Sequence, residues 1–334
     1  MNKLVIAISF LVFFTFVVCT GCNKEESTRS PYIEGLTIDS YSVVDGSTST
    51  LPLNCVIACE LMGMKYQWQE NMGDNGTSSW SIEPLINGSL KRKFDNLILS
   101  SQTHQSLLNL IDKKADIVLS ARAMSPDEKA YARLRGITII ETPIALDALI
   151  FIIHPQNEVT ELSTAEIQDI YTGKISQWTD LGWKALPEIL EVRPDLMAIH
   201  PYIRNPNSGS QELMDLLVMK DLEYINLPMY EENLIPTMGG MIDKIASDKN
   251  AIGYTVFYYN YYIVRAGSRL KPIAVDGVSP IRLNIDKHSY PFAADVYAVI
   301  RADTDPSSMA FRIYEWLQSE AGRQVISKSG YLLN

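Results

Sequence analysis

In the run Arg204-Asn205-Pro206-Asn207-Ser208-Gly209-Ser210-Gln211-Glu212, an arginine precedes a Ser-Gly-Ser triplet by four residues, and a helix-forming segment follows. Ser208 with Gln211 predicts a capping box, in which the hydroxyl takes a backbone N–H and the glutamine reaches back to the cap. Gly209 leaves the backbone uncovered, so a ligand can approach the first N–H groups. Unpaired N–H donors and the aligned peptide dipoles give such a helix start a partial positive charge, a seat for an oxyanion. Arg204 adds a planar fork of charged donors from the preceding loop. An ordinary capped helix beside a surface arginine has the same local signature, so this segment alone names a chemistry and not a function. Residues 47–50, 100–103 and 120–125 are further hydroxyl-rich helix starts. Brought together, such starts hold enough hydroxyls and backbone N–H groups to replace an oxyanion's hydration shell.

Other chemistries find little support. His104, His154, His200 and His288 lack metal-ligand spacing, and no metal or cofactor is expected. No Gly-x-Ser-x-Gly elbow surrounds Ser208, so a nucleophilic serine has no context, and phosphate-loop and dinucleotide fingerprints are missing. The tyrosines between Tyr254 and Tyr262 read as packing, with room for one aromatic in a cleft. A formal net charge of −10 argues against nucleic acid or an anionic membrane surface as a partner. Anion binding in so acidic a chain must rest on local dipoles and one or two placed arginines.

The N-terminus sets the expected compartment. Lys3 precedes an apolar run from Leu4 to Val18, which suits a secretory signal and is short for a membrane span. Cys19-Thr20-Gly21-Cys22 then places small residues before a cysteine, followed by polar Asn23-Lys24-Glu25-Glu26. This pattern resembles a bacterial lipoprotein site, with residues 1–21 removed and Cys22 acylated. Residues 22–32 form a tether, and the remainder sits lipid-anchored on the extracytoplasmic face of the cell membrane. The 313 residues left after residue 21 suffice for two α/β lobes. Cys55 and Cys59, four apart on one predicted helix, read as small buried side chains and not as a disulfide.

Short apolar strands alternate with amphipathic helices, the grammar of α/β layers. Ser49 or Thr50 is the predicted cap of a helix that carries Pro52 in its first turn and ends at Gly63. Residues 71–93 form a polar insertion without assignment. A strand is expected near 97–99, a helix from Thr103 through Leu110, and a strand from Asp116 to Leu119. Ser125 with Glu128 predicts another capping box. Ala148 to Ile153 reads as a buried strand, 164–171 as a helix, and 208–219 as the helix of the opening motif. Ala251 begins a strand, 273–291 reads as strands and a turn, and Ser308 starts an amphipathic helix.

Six segments in order resemble phosphate-type solute-binding proteins of bacterial ABC importers. They are 44–52, 115–122, 170–178, 204–212 (similar to an Arg-x-x-x-Ser-Gly-Thr motif, with Ser210 for threonine), 252–254 and 316–331. The resemblance implies a type II periplasmic-binding fold, two α/β lobes closing on ligand across a hinge. Lobe one would hold 33–145 and 273–334, lobe two 146–272, with crossings near 142–146 and 270–275. Carried over by position, Ser49, Thr50, the Leu51 backbone N–H, Thr103 and Ser120 contact ligand from lobe one. Arg204, Ser208, Gly209 and Ser210 contact it from lobe two. The implied function is capture of an inorganic oxyanion, phosphate first, by a monomer that delivers it to ABC permease subunits. A sensor or interaction lipoprotein of the same fold, or a binder of another anion, is the alternative. The family's phosphate binders place an aspartate directly after the serine matching Ser120, and here that residue is Ala121. Its loss weakens selectivity for a protonated oxyanion. Arg122 either points into the cleft, faces solvent, or pairs with Asp116 or Asp127.

Overall fold

A computed structural model of the protein describes residues 30–72, 78–184, 194–225 and 233–334. The expected signal segment, the lipidation residue Cys22 and most of the tether lie outside the described residues. Among those described, no helix is long and apolar enough to cross a membrane.

The chain enters through strand β1 (Val44–Gly46) and helix α1 (Leu51–Leu61), which is apolar nearly all round and accordingly buried. Cys55 and Cys59 are free thiols inside it, and burial pushes Cys55 up to about 12. Gly63, in the left-handed region at φ 65°, follows the helix as expected. The unassigned insertion contains most of a β-hairpin, β2 (Tyr66–Met72) and β3 (Ser78–Pro84), and the start of helix α2 (Gly88–Leu97). The strand expected at 97–99 is reduced to a single bridge from Ile98 to Val44. Helix α3 (Thr103–Ile111), β4 (Ile117–Ser120) and α4 (Pro126–Leu134) follow, and the Ser125–Glu128 capping box forms.

Strand β5 (Ile139–Ile153) is fifteen residues long, far longer than the expected 148–153. Pro143 argues against a continuous strand in the sequence. The sheet accommodates it with an irregularity: Val296 faces Ala145 while Tyr297 faces Pro143, leaving Ile144 as the extra residue. Beyond β5 come β6 (Glu161–Leu162), α5 (Thr164–Tyr171), β7 (His200–Pro201) and β8 (Ile203–Arg204). Helix α6 (Gly209–Leu213) continues as a π-helical turn through Met219. Then follow β9 (Leu234–Ile235), α7 (Met238–Ser247), β10 (Ala251–Val256), β11 (Lys271–Pro272), β12 (Ala274–Val275) and α8 (Arg282–Asp286). Strand β13 (Ala293–Arg301) and helices α9 (Met309–Leu317) and α10 (Glu320–Lys328) complete the chain.

The main sheet runs β1-β4-β13-β5-β10-β7, with β11 also on β5. Strand β5 belongs to both of its halves. Ile139–Ala148 pair with β13, and Leu149–Ile153 pair with β10. The handover between Ala148 and Leu149 therefore lies just beyond the expected crossing at 142–146. The second expected crossing, at 270–275, is displaced much further. Residues 271–275 pair with Ile152, Ile153, Glu161 and Leu162, on the far side of the handover. The chain returns only at Phe292, whose carbonyl accepts from Leu149 N at 2.9 Å, and at Ala293, which faces Ala148. Residues 273–291 are accordingly one short strand and a helix attached to the second half. The physical reason is that β11 and β12 satisfy their backbone groups on free edges there.

Asp147 sits at the handover, buried. Its Oδ1 accepts from Ala148 N at 2.8 Å and Tyr258 N at 2.9 Å, while Oδ2 has no partner. Burial raises this carboxyl to about 7, against the two backbone donors. A folded-state pKa above the unfolded value favours the native state at low pH. That contribution is full below the ordinary range near 3.8 and is lost as pH rises through about 7. Asp147→Asn should therefore gain about 4 kcal/mol over the native chain between pH 4 and pH 8, read from denaturant midpoints.

Candidate functional site

The β1–α1 loop is held by what surrounds it. The buried Asp45 carboxylate accepts from Gly46 N (2.8 Å), Ser101 N (2.9 Å) and Asn109 Nδ2 (2.8 Å), lashing this loop to the start of α3. A Cβ on Gly46 would stand 2.7 Å from both the Leu119 carbonyl and Thr50 Oγ1, so the loop can lie on β4 only with glycine there. Ser47 Oγ accepts from Ala121 N at 2.9 Å and meets Thr103 Oγ1 at 2.8 Å. One hydroxyl thus joins three separate segments. Gln102, immediately before α3, is held at φ 69° and ψ 164°, a backbone region that residues other than glycine rarely adopt.

The facing wall begins at Arg204. Strand β8 pairs with β9, setting Arg204 opposite Ile235. Its Nε donates to the Ile235 carbonyl at 2.9 Å and its Nη2 to the Pro236 carbonyl at 3.2 Å. The third nitrogen, Nη1, is buried and has no partner. Burial pushes the guanidinium below its ordinary pKa, against favourable Tyr254 and Tyr259. Ser208 caps α6, its Oγ accepting from Gln211 N at 3.3 Å. The other half of the predicted capping box does not form. Gln211 Oε1 instead accepts from Arg204 N at 2.9 Å, and its amide donates to Asp215 and Tyr224, each at 2.8 Å. Ser208 N finds the Asn205 carbonyl, so Gln211 braces the arginine strand and not its own cap.

These two walls enclose a cavity of about 20 Å³, a little more than one water needs. Ser47, Thr48, Ser49, Gln102, Thr103 and Ala121 line one side; Arg204, Ser208, Gly209, Ser210, Met238 and Val256 line the other. Arg204 is the one charged side chain among these described residues, and no carboxylate faces the space. Three helices begin at it: α3 at Thr103, α6 at Gly209 and α7 at Met238. At the tightest approach a Cβ on Gly209 would lie 2.5 Å from Thr103 Oγ1, so the walls touch through this glycine.

The sequence-derived candidates divide accordingly. Ser49, Thr103, Arg204, Ser208, Gly209 and Ser210 line the cavity. Thr50, Leu51 and Ser120 do not. The Thr50 hydroxyl is spent on the carbonyls of Leu119 (2.7 Å) and Ser47 (3.0 Å), and Ser120 Oγ donates to the Arg122 carbonyl at 2.6 Å. Leu51 borders a neighbouring cavity. Arg122 adopts none of its expected roles. It is buried in a bidentate pair with Glu128, with Nη1–Oε2 and Nη2–Oε1 both 2.8 Å. Burial alone would raise Glu128, and the Arg122 fork outweighs it and holds the carboxyl below its ordinary range. The Ser125–Glu128 box had flagged Glu128, but not that its carboxylate would claim the arginine. Thr48 lay within the hydroxyl-rich start at 47–50, but Met238 and Val256 were not singled out; Thr237 before Gly239 and Gly240 was the available signal, a cap ahead of an open helix start.

His104 and His200 bond to Glu128 and Asp248, each at 2.9 Å, and not to a cavity hydroxyl. Among the described residues no group of three metal-ligating side chains occurs.

The chain resembles several characterised proteins. It is 23% identical over 226 residues to phosphate-binding protein PstS of Borreliella burgdorferi, covering 67% of this chain and 74% of that protein. A PstS 2 of Streptococcus agalactiae is 33% identical over 182 residues, 52% of this chain and 57% of the relative. Among solved structures, a substrate-binding protein with bound phosphate from Clostridium perfringens superposes with a TM-score of 0.60 at 20% identity, covering 88% and 99% of the two chains. An ABC-type phosphate transport receptor from Vibrio cholerae gives 0.58 at 17% identity, covering 88% and 100%. These likenesses show the type II periplasmic-binding fold, two α/β lobes with a cleft between them. The family model for the PBP superfamily domain matches residues 90–320, well over half the chain, and the chain belongs to that superfamily.

Proposed function

We propose that this protein captures a small inorganic oxyanion, phosphate first, between its two lobes, and delivers it to ABC permease subunits from the outer face of the membrane. The observation that carries this reading is Arg204 Nη1, a charged donor buried without a partner at a cavity of hydroxyls and helix starts. A buried charge left unpaired is costly, and an oxyanion in the cavity removes that cost. The names of the relatives, PstS among them, support phosphate. The small volume supports a bare ion over an organic phosphate. The same geometry supports binding over hydrolysis, because no base reaches a cavity serine among the described residues. The Leu4–Val18 run and Cys22 support the lipid anchor.

One observation favours a second anion. With Ala121 in the wall and no carboxylate facing the cavity, nothing ionised accepts the proton of hydrogen phosphate. A fully ionised anion such as sulfate is therefore less disfavoured than it would be beside an aspartate. A thermal-shift screen of the chain from residue 23 against phosphate, sulfate, molybdate and organic phosphates tests both readings. A ligand at one hundred times its dissociation constant should add about 2.7 kcal/mol of stability. A shift with sulfate and none with phosphate would correct the ligand. No shift with any anion would leave the sensor or interaction lipoprotein as the standing reading.

A further inference from the structure

The hairpin β2–β3 forms a two-stranded sheet of its own, apart from the main sheet. Trp68 faces Ile82 and Glu70 faces Trp80 in its register, so the period-two alternation puts Trp68 and Trp80 diagonally on one face. That face meets a cation from the opposite lobe. Arg265 lies between β10 and β11, both paired to the second half of β5. Its guanidinium carbon stands 3.7 Å from the Trp80 ring centroid and 5.2 Å from that of Trp68. Both distances fall within cation–π range. The backbone of Arg265 is held at φ 44°, in the left-handed region where an arginine is disfavoured. No carboxylate pairs with Arg265 among the described residues; its Nε donates to the Tyr262 carbonyl at 3.4 Å, and the two indoles are its partners across the cleft. Trp80 also borders a cavity of about 380 Å³, lined further by α1, by Ile82 of the hairpin, and by Tyr259 and Ile263 of the second lobe. Thr48 borders both this cavity and the smaller one.

We propose that the hairpin and Arg265 form a clasp across the cleft, which holds the lobes closed and slows the opening that releases ligand. The two tryptophans on one lobe offer electron-rich faces, and the other lobe distorts its backbone to deliver a cation to them. Closure makes the contact, and opening must break it. The clasp rests on the two-lobed fold and not on the identity of the ligand.

Spin-label distances between Lys129→Cys in the first lobe and Lys249→Cys in the second, taken without ligand, read the open and closed populations directly. Arg265→Ala and Trp80→Ala should each raise the open-to-closed ratio about fivefold, the scale of an exposed cation–π contact shared by two rings. The double variant should open no further than either single one, because both remove the same contact. Arg265→Gly separates the clasp from folding: it relieves the backbone conformation, so the melting temperature should hold or rise while the open population grows as in Arg265→Ala. An unchanged ratio in the single variants, or independent additive opening in the double, overturns the clasp. Failure of phosphate to bind would sink the functional reading above and leave this result untouched.

Discussion

Arg204→Ala is expected to weaken phosphate binding by about 100- to 1,000-fold, the larger of two effects that follow from the cavity. The guanidinium is fixed before any anion arrives, with Nε on the Ile235 carbonyl and Nη2 on the Pro236 carbonyl. Only Nη1 remains, buried and unpaired. An anion there gains a charge-assisted hydrogen bond without the entropy of ordering a long side chain. Truncating one partner of such a buried pair costs about 2–5 kcal/mol, which brackets the expected loss. Arg204→Lys keeps the charge but cannot hold two carbonyls and the anion with one compact ammonium, so its affinity should fall in between. The ligand-free Arg204→Ala chain should lose little stability, since it also sheds an unsatisfied buried charge. Calorimetric titration decides the matter: a loss below tenfold in Arg204→Ala would remove Arg204 from the site.

Gly209→Ala is expected to weaken binding by about 10- to 100-fold through geometry alone. The added methyl would stand 2.5 Å from Thr103 Oγ1 and 3.4 Å from its Cβ. Thr103 cannot easily yield, because its hydroxyl is bonded to Ser47 Oγ at 2.8 Å. The lobes must then close less far, at the cost of about 1–3 kcal/mol typical of overpacking. Opening the lobes would part Gly209 from Thr103, so the ligand-free melting temperature should change little while the phosphate-induced shift shrinks. Adding Thr103→Ala removes the atom that is struck first, so the double variant should lose less than the sum of its parts. Wild-type affinity in Gly209→Ala would mean that the bound form is more open than the structure.

Local grammar was legible wherever one short segment decides it. The caps at Ser125 and Ser308, the left-handed Gly63 and the buried thiols of α1 all follow from a few neighbouring residues. Legibility failed where a distant partner competes. Gln211 has the spacing of a capping glutamine, but Tyr254 and the Arg204 backbone claim its oxygen. Arg122 was open to the cleft or to an aspartate, and Glu128, already turned inward by its own capping box, took it. Strand β5 was read only from Ala148, because the pairing that carries it back past Pro143, with Ile144 bulged out, is supplied by β13, far along the chain.

The sequence by itself determined the chemistry on offer: hydroxyl-rich helix starts, an arginine four residues before Ser208, and a glycine that leaves a helix start bare. Those are properties of residue type and near spacing. Which of them share a cavity was decided only by the tertiary structure. Thr50 and Ser120 carry hydroxyls as suitable as those of Ser47 and Thr103, yet β4 and the loop after it absorb them. The reason is that a hydroxyl's availability depends on every carbonyl the sheet order brings within reach. Arg204 shows the same rule from the other side. Two carbonyls from the segment before α7 take two of its nitrogens, and the one left over is buried and unpaired on a side chain that lines a cavity completed from both walls.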